Sequence, residues 1–313
     1  MDSARAADEW PVYWEQKEKY VALRDLAARY DADLAGPFSH RFTLQNQWNS
    51  LVFKADSREV LVNGTLVWLH APMEQARGRW AVHEVDVSRV IDPILRPERH
   101  LQKTGYRVVV LDPGHGGQDN GARGARGVEE KRVVLDIARR MRAQFLKAGV
   151  KVYMTRESDR FVELDERCRK AERWGADLFI SIHLNSAGNA LAAGAESYVL
   201  AAPGYESTAG GLSNLSQPGN RFEAASSVVG YHIQKALTMR IGAHDRGVKR
   251  SRFLVLKNAP CPAVLVECGF VSNRREEERL LSESYREAVA QGLVRGSLSY
   301  LNLIKRSRTV PSP

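Results

Sequence analysis

The sequence predicts an α/β fold: a twisted, mostly parallel sheet flanked by helices, preceded by a smaller N-terminal α+β domain. From residue 106 onward, apolar strand patterns alternate with amphipathic helix patterns, which is typical of a parallel sheet covered on both faces. The length of 313 residues exceeds that of most single domains. Pro97, a charged run and Gly105 mark a linker near residues 96–105, so two domains are predicted, over residues 8–100 and 106–303.

The larger domain contains the alternating elements. Predicted strands cover residues 106–111, 150–155, 178–183, 195–200, 253–256 and 263–268. Predicted helices cover residues 130–148, 164–174, 222–241 and 276–303. The first of these helices has one apolar face, expected to pack against the sheet, formed by Val133, Val134, Ile137, Met141 and Phe145.

The smaller domain is predicted to begin with a helix over residues 8–30, because Tyr20, Leu23, Leu26 and Tyr30 recur at helical spacing. Short strands follow over residues 41–43, 50–54, 59–62 and 66–69. Asn63-Gly64 predicts a two-residue hairpin between the last two, because both turn positions need positive φ. Dispersed histidines in this domain fit ordinary surface or core positions better than a metal site: His40, His70, His83 and His100.

The amino-acid composition and net charge limit the kinds of binding partner that can be expected. Lys and Arg exceed Asp and Glu by nine, which suits a polyanion such as nucleic acid, acidic lipid or an acidic cell-wall polymer. The basic residues between 123 and 142 mostly follow a helix and are not interleaved with aromatic residues, so no nucleic acid is expected. No apolar stretch reaches about 18 residues, so no integral membrane segment is expected either.

The three cysteines show no CxxC spacing, which argues against a zinc knuckle or a thioredoxin-like motif. A bridge between Cys261 and Cys268 is conceivable. Cys268 lies in the apolar run AVLVECGF, however, and a small buried hydrophobic role fits it better.

Candidate chemical residues occur where strands are predicted to end. In open α/β sheets, ligands bind beyond the carboxyl ends of the strands. His115 follows the first strand, His183 ends the third and Glu267 comes near the end of the last, while Glu130 opens the helix after His115. The four side chains are therefore expected to converge.

Two imidazoles, one carboxylate and an open fourth position are typical of a catalytic zinc site. His115, Glu130 and His183 fit this description, and Glu130 is preferred to Glu129 because it directly precedes Lys131 at the helix start. Sequence spacing alone does not exclude Glu129 as the carboxylate ligand. The glycine-rich loop around His115 could instead cradle phosphate, but it contains neither GxxxxGK[ST] nor GxGxxG.

Glu267 is the candidate acid–base residue. Zinc lowers the pKa of bound water and polarises a carbonyl, and amide hydrolysis then needs a carboxylate to move a proton from water to the leaving amine. Glu267 directly follows the apolar run 264–266, where an unpaired carboxylate is costly. The alternative is a salt bridge to a core arginine.

Several longer motifs resemble one family. The segments are, in order, VVVLDPGHGG, EEKRVVLDIARRM, YMTRESDRFVELDERCRKAERWGADLFISIHLNS, DRGVKRSRFLVLKN and PAVLVECGFVSN. They resemble the zinc-dependent N-acetylmuramoyl-L-alanine amidases of the Amidase 3 family over roughly residues 106–303. The resemblance implies a twisted, mostly parallel sheet flanked by helices.

The resemblance also implies a reaction: cleavage of the amide between N-acetylmuramic acid and the L-alanine of peptidoglycan stem peptides, in cell-wall remodelling or daughter-cell separation. Zinc ligands then fall on His115, Glu130 and His183, and the catalytic glutamate on Glu267. Asn185 and Arg246 also stand in motif positions and are expected to position substrate or support the site. Cys268 replaces the leucine common in relatives. A non-catalytic peptidoglycan-binding protein and a zinc peptidase for another cell-wall amide are the competing hypotheses.

Residues 201–219 stand where some relatives carry a helix that blocks the site until a partner removes it. Their Gly, Ser and Pro content predicts a mobile lid or loop instead, so a protein activator finds no support here. The N-terminal domain resembles the copper amine oxidase N-terminal-like domain of cell-envelope enzymes, which implies wall binding or positioning. No signal peptide is evident, although Ala4-Arg5-Ala6 resembles a cleavage region; a periplasmic or cell-envelope location is expected.

Overall fold

The computed structural model describes residues 10–101 and 108–306. The N-terminal part consists of short strands around one helix and a final helical segment. Its strands are β1 (Tyr13–Glu15), β2 (Glu18–Ala22), β3 (Asp33–Phe38), β4 (Arg41–Gln45), β5 (Ser50–Lys54), β6 (Ser57–Val62), β7 (Thr65–Ala76) and β8 (Arg79–His83). Its helices are α1 (Leu23–Arg29) and α2, which runs through Glu84–Asp86, Val87–Ile91 and Asp92–Leu95.

The C-terminal part alternates strands and helices. Its strands are β9 (Val108–Pro113), β10 (Lys151–Met154), β11 (Leu178–Asn185), β12 (Ala195–Leu200), β13 (Asp245–Ser251) and β14 (Ala263–Phe270). Its helices are α3 (Glu130–Lys147), α4 (Leu164–Arg173), α5 (Glu223–Ile241), α6 (Leu254–Lys257), α7 (Arg274–Leu281) and α8 (Glu283–Arg306).

The strands of the C-terminal part form one sheet in the order β10-β9-β11-β14-β12-β13, and β13 continues into β7 of the N-terminal part. Within it, β10, β9, β11 and β14 are parallel to one another. β12 is antiparallel to β14 and parallel to β13. The predicted mostly parallel α/β sheet with a smaller N-terminal part is confirmed.

Helices cover both faces of this sheet, as predicted. Alternate residues of β9 show it: Val109 and Leu111 pack in a core cluster with α3, α5 and α8, whereas Val110 packs in a second cluster with α4 and α6. The period of two along a strand explains the division, because successive side chains point to opposite faces.

Three predictions about elements are wrong. Residues 13–22 form β1 and β2 rather than a helix, because Tyr20 pairs with His83 of β8 and the turn at Gln16 and Lys17 has positive φ; residues 8 and 9 lie outside the described residues. The apolar run 253–256 belongs largely to the short helix α6, and short runs of this kind do not distinguish helix from strand. The final helix divides into α7 and α8 at Ser282.

The Asn63-Gly64 hairpin prediction is confirmed. Asn63 has φ 48° and Gly64 has φ 82°, and Val62 pairs with Thr65 across the turn. This hairpin directs β7 back along the sheet, and Val67 then pairs with Val248 of β13. The two parts of the chain therefore share backbone contacts at this edge.

Candidate active site

Three of the predicted ligands meet at the carboxyl ends of β9 and β11. The candidate ligand atoms of His115, Glu130 and His183 all lie within 4.8 Å of one another. His115 Nε2 is 3.1 Å and His183 Nδ1 is 3.0 Å from Glu130 Oε1. The structure thus brings together residues that are separated by up to 68 positions in the sequence (183 − 115).

Glu130 is held by the backbone as well as by the histidines. Its Oε1 accepts from the Leu184 amide at 3.0 Å, and its Oε2 accepts from the Ala122 amide at 2.8 Å. Burial alone would raise the pKa of Glu130, but hydrogen bonds to the two histidines outweigh burial and lower that pKa strongly. Glu129 instead pairs with Arg123 and Arg132, so the structure places Glu130 and not Glu129 in the cluster.

Asp119 orients His115. The Asp119 Oδ2 lies 2.8 Å from His115 Nδ1, and accepting a hydrogen bond there leaves Nε2 as the nitrogen facing Glu130. The sequence analysis missed Asp119. Its position in the loop four residues after His115 was the available signal, since a carboxylate commonly fixes the tautomer of a metal-binding histidine.

Two glycines leave room for the cluster. A Cβ on Gly114 would lie 2.2 Å from His183 Cε1, and one on Gly121 would lie 2.6 Å from Glu130 Oε2. Either contact is far inside van der Waals distance, so a side chain at these positions would displace a candidate ligand. This close approach, rather than phosphate binding, accounts for glycines in the loop.

Two buried arginines hydrogen-bond to backbone carbonyls of the loop that carries His115. Arg156 donates through Nε to Pro113 O and through Nη2 to Gly114 O and Lys131 O, all within 2.9 Å. Arg167 donates to His115 O at 2.9 Å and forms an ion pair with buried Asp112 at 2.8 Å. The loop carbonyls that precede and include the first histidine are therefore fixed by guanidinium groups. Neither was predicted from the sequence, because an arginine in a loop, such as Arg156, or on an amphipathic helix, such as Arg167, is usually solvated.

Glu267 lies beside the cluster. It pairs in register with His183 of β11 on one side and with Glu196 of β12 on the other. Part of the residue is exposed, but its Oε2 is buried and has no hydrogen-bond partner among the described residues. Burial raises the pKa of Glu267 well above its usual range, and the charges of Glu130 and Glu196 raise it further. The alternative salt bridge to a core arginine does not form in the described part of the chain.

Asn185 and Arg246, the two other predicted site residues, meet at a residue that sequence analysis missed. Buried Glu196 accepts from Asn185 Nδ2 at 2.7 Å and from Arg246 Nε at 2.8 Å. Tyr198 OH and Lys249 Nζ also donate to it, at 2.7 and 2.5 Å. Burial alone would raise the pKa of Glu196, but the hydrogen bonds from Lys249, Tyr198 and Arg246 lower it. Asn185 and Arg246 therefore contact Glu196 rather than the His–Glu–His cluster.

The cluster has the donor chemistry of a zinc site. Zinc binds imidazole nitrogens and carboxylate oxygens at about 2.0–2.2 Å in tetrahedral geometry, which separates ligand atoms by about 3.4 Å. The donor set of two imidazoles and one carboxylate, with second partners on Glu130 and His115, fits such an ion.

Comparisons with known proteins agree with this geometry. The family model for N-acetylmuramoyl-L-alanine amidases matches residues 109–298. This chain belongs to that family. The amidase AmiA of Escherichia coli is 35% identical over 225 residues, which cover 63% of this chain and 77% of AmiA. The amidase LytC of Bacillus subtilis is 36% identical over 193 residues, 61% of this chain and 35% of LytC.

Solved structures show the same similarity. The amidase AmiC2 of Nostoc punctiforme is 34% identical with a TM-score of 0.55, covering 64% of this chain and 99% of that structure. The catalytic domain of the amidase CwlV from Bacillus (Paenibacillus) polymyxa is 33% identical with a TM-score of 0.54, covering 63% of this chain and 99% of that domain. The predictions of the amidase family and of an amidase enzyme are confirmed.

The segment 201–219 was predicted to be a mobile lid or loop rather than a blocking helix; it is a loop, and it does not lie over the cluster. It follows the carboxyl end of β12, which is antiparallel to β14, and therefore leaves the sheet at the end opposite to Glu267. Arg58 of the N-terminal part donates to Ser207 O and Glu206 O, and Arg252 donates to Ala202 O. These contacts fasten the loop, whose residues before the 3-10 turn at Pro218–Phe222 contain no α-helix.

Cys168, Cys261 and Cys268 are buried and unbridged, which agrees with a buried apolar role for Cys268. Across the described ranges, every helix is too short or too polar to span a membrane.

Proposed function

We propose that this protein is a zinc-dependent N-acetylmuramoyl-L-alanine amidase. Its substrate is peptidoglycan, and the bond cleaved joins N-acetylmuramic acid to the L-alanine of the stem peptide. The observation that carries the proposal is the juxtaposition of a His–Glu–His cluster with a buried carboxylate, Glu267, whose Oε2 has no protein partner. The names of the similar proteins supply the substrate class.

His115, Glu130 and His183 would hold the metal. When bound, zinc supplies Lewis-acid polarisation of the amide carbonyl and activation of water. Glu267 would accept the proton of the attacking water on its carboxylate and deliver it to the leaving nitrogen of L-alanine. Its pairing in register with His183 supports this role, because Glu267 then lies beside a residue that would hold the metal.

Asn185 and Arg246 lie beside the proposed catalytic group. Both are fixed by Glu196, which pairs in register with Glu267 across β12 and β14. We assign them to substrate positioning.

The N-terminal part, residues 8–100, is proposed to be a domain of the copper amine oxidase N-terminal-like type that positions the catalytic domain, residues 106–303, on the wall. The excess of nine positive charges over the whole sequence suits an acidic wall polymer, and it lies mostly in the catalytic domain, since residues 8–100 carry 12 Lys and Arg against 14 Asp and Glu. The protein would then act in the periplasm or cell envelope, in wall remodelling or daughter-cell separation. A non-catalytic wall-binding protein would have no need of the cluster and Glu267, whereas a zinc peptidase would use both on another amide.

Digestion of purified sacculi tests the proposal. The protein is stripped with a chelator, then reconstituted with zinc or with magnesium, and the released fragments are identified by mass spectrometry. Free stem peptides with an L-alanine amino terminus, released over intact glycan with zinc only, are expected. Cleavage inside the peptide would favour the peptidase, and binding to sacculi without any release would favour the non-catalytic protein.

A further inference from the structure

Arg246 presents unused hydrogen-bond donors at the edge of the proposed site. Its Nε donates to Glu196 Oε2, and its guanidinium lies over the Phe270 ring, 4.9 Å from the ring centroid. Its side chain is 31% exposed. Its terminal nitrogens, Nη1 and Nη2, have no hydrogen-bond partner among the residues that the structure describes. The guanidinium is thus fixed at one side and open at the other.

The hydrogen bond between Glu196 and Arg246 is not easily broken. Each of its oxygens accepts two hydrogen bonds: Oε1 from Asn185 and Tyr198, and Oε2 from Arg246 and Lys249. The carboxylate is only 2% exposed, so water does not replace these partners. Two cations share one anion, which leaves this group of side chains with one positive charge in excess.

The N-terminal part fixes the backbone of the same residue. Trp68 Nε1 of β7 donates to Arg246 O at 3.2 Å, and the Leu66 amide donates to Asp245 at 2.9 Å. Gly247 has φ 87°, and a Cβ there would lie 2.8 Å from Leu66 Cγ, so its glycine permits this close approach. The side chain and the main chain of Arg246 are therefore fixed from two directions.

We infer that Arg246 binds a carboxylate on the peptide side of the substrate, and that Glu196, Phe270 and Trp68 are positioning residues for it. A guanidinium fork matches a carboxylate with two parallel hydrogen bonds. The inference rests on the proposed function, which supplies the substrate. The lactyl carboxyl of N-acetylmuramic acid is consumed in the amide to be cleaved, and the sugar is otherwise neutral, whereas a stem peptide ends in a carboxylate.

The strand order sets where this subsite lies relative to Glu267. Arg246 lies on β13, two strands from Glu267 on β14, and neighbouring strands are about 4.8 Å apart. The guanidinium itself reaches back from β13 to Glu196 on β12 and to the Phe270 ring on β14, so the carboxylate that it binds belongs to a short peptide attached to the reacting carbonyl. A short stem peptide with a free carboxyl terminus, such as a tripeptide, is the expected preferred substrate.

The test compares two N-acetylmuramoyl tripeptides of one sequence, one ending in a carboxylate and the other in a carboxamide. We expect the zinc-loaded wild-type protein to prefer the carboxylate by roughly 10- to 100-fold in kcat/KM, mainly through KM, since a hydrogen bond to a charged group contributes about 1.5–3 kcal/mol. Arg246→Gln should lose this preference and use the two compounds about equally. Arg246→Lys should retain part of it, because the charge remains and the fork does not.

For the positioning residues, the substrate preference and the zinc affinity are measured together. Glu196→Gln and Trp68→Phe should weaken the preference for the carboxylate while zinc affinity stays unchanged. Arg132→Gln, which removes a 74% exposed arginine paired with Glu129, is the matched control and should change nothing. Equal use of both substrates by the wild type, or an undiminished preference in Arg246→Gln, overturns the inference.

Binding separates this inference from the proposed function. Affinity for the two tripeptide conjugates is measured by calorimetry on the same zinc-loaded protein. Should neither compound be hydrolysed, the amidase proposal fails, yet tighter binding of the carboxylate that depends on Arg246 still supports the subsite. Equal affinity for both compounds contradicts it.

Discussion

Glu130 and Glu267 lie at the same edge of the sheet in opposite surroundings. Both oxygens of Glu130 accept backbone hydrogen bonds, and two histidines face its Oε1. Glu267 has a buried Oε2 without a donor. A buried carboxylate with full hydrogen bonding stays ionised and fixed, whereas one without partners favours its protonated form. In the proposed mechanism, therefore, their surroundings rather than their residue type make Glu130 suited to metal binding and Glu267 suited to proton transfer.

The largest expected effect comes from removing the charge of the fixed glutamate. Glu130→Gln should weaken zinc binding by more than about 100-fold, because loss of an outer-shell partner alone costs about 10–100-fold. Competition with a chromogenic chelator measures it. Glu129→Gln is the matched control, since Glu129 pairs with arginines outside the cluster, and should bind zinc normally. Equal losses in the two variants would contradict the assignment.

Asp112 is a second buried carboxylate whose oxygens have hydrogen-bond partners. The loop that carries His115 depends on its ion pair with Arg167. Arg167→Leu leaves Asp112 buried without its cation and should lower the free energy of unfolding by about 3–5 kcal/mol. Urea denaturation measures it. Arg169→Leu, on the same helix but 58% exposed, should change stability by less than about 0.5 kcal/mol. A loss for Arg167→Leu no larger than that of the control would show that the ion pair does not hold the loop.

A variant of Asp119 tests whether the carboxylate that hydrogen-bonds to His115 also contributes to zinc binding. Asp119→Asn removes the charged acceptor of His115 Nδ1 and should weaken zinc binding by about 10–100-fold without unfolding the protein. Chelator competition and circular dichroism together measure it. Unchanged affinity would mean that His115 is oriented by the loop backbone alone.

Acid stability gives the smallest effect. Burial alone would raise the pKa of Asp112, but Arg167 and the Thr155 and Ser181 hydroxyls lower it. Because the folded pKa is depressed, the stabilisation is present above the unfolded value of about 3.9 and is lost as pH falls below it. The free energy of unfolding of the wild type should therefore fall more steeply below about pH 4 than that of Asp112→Asn, by up to about 1.4 kcal/mol per pH unit. Parallel curves would contradict this.

Much of the fold could be predicted because its strands are apolar. The strand predicted over residues 195–200 agrees with β12, and the others of β9, β10, β11 and β14 agree within a few residues. β13 was missed since its sequence, DRGVKRS, is polar; the strand forms by pairing with β12, and its Arg250 is buried where a solvated side chain would be expected.

The predicted site residues followed from position at strand ends, whereas their partners depend on tertiary contacts. Glu196 reads as an ordinary polar residue of a half-exposed strand, and only the sheet order brings Asn185, Arg246 and Lys249 to it. Arg156 likewise becomes a loop anchor only when α3 and β9 come together around it. Sequence spacing carries no information about such contacts.

The most direct test of the account is Glu267→Gln, measured for zinc content and for turnover on sacculi in the same preparation. Zinc affinity should match the wild type, and stability should be equal or higher because an unpartnered buried carboxylate is removed. Turnover should fall by about 10²–10⁴-fold, the usual contribution of a general acid–base group. Zinc-dependent turnover that stays near the wild-type rate would contradict the assignment of Glu267.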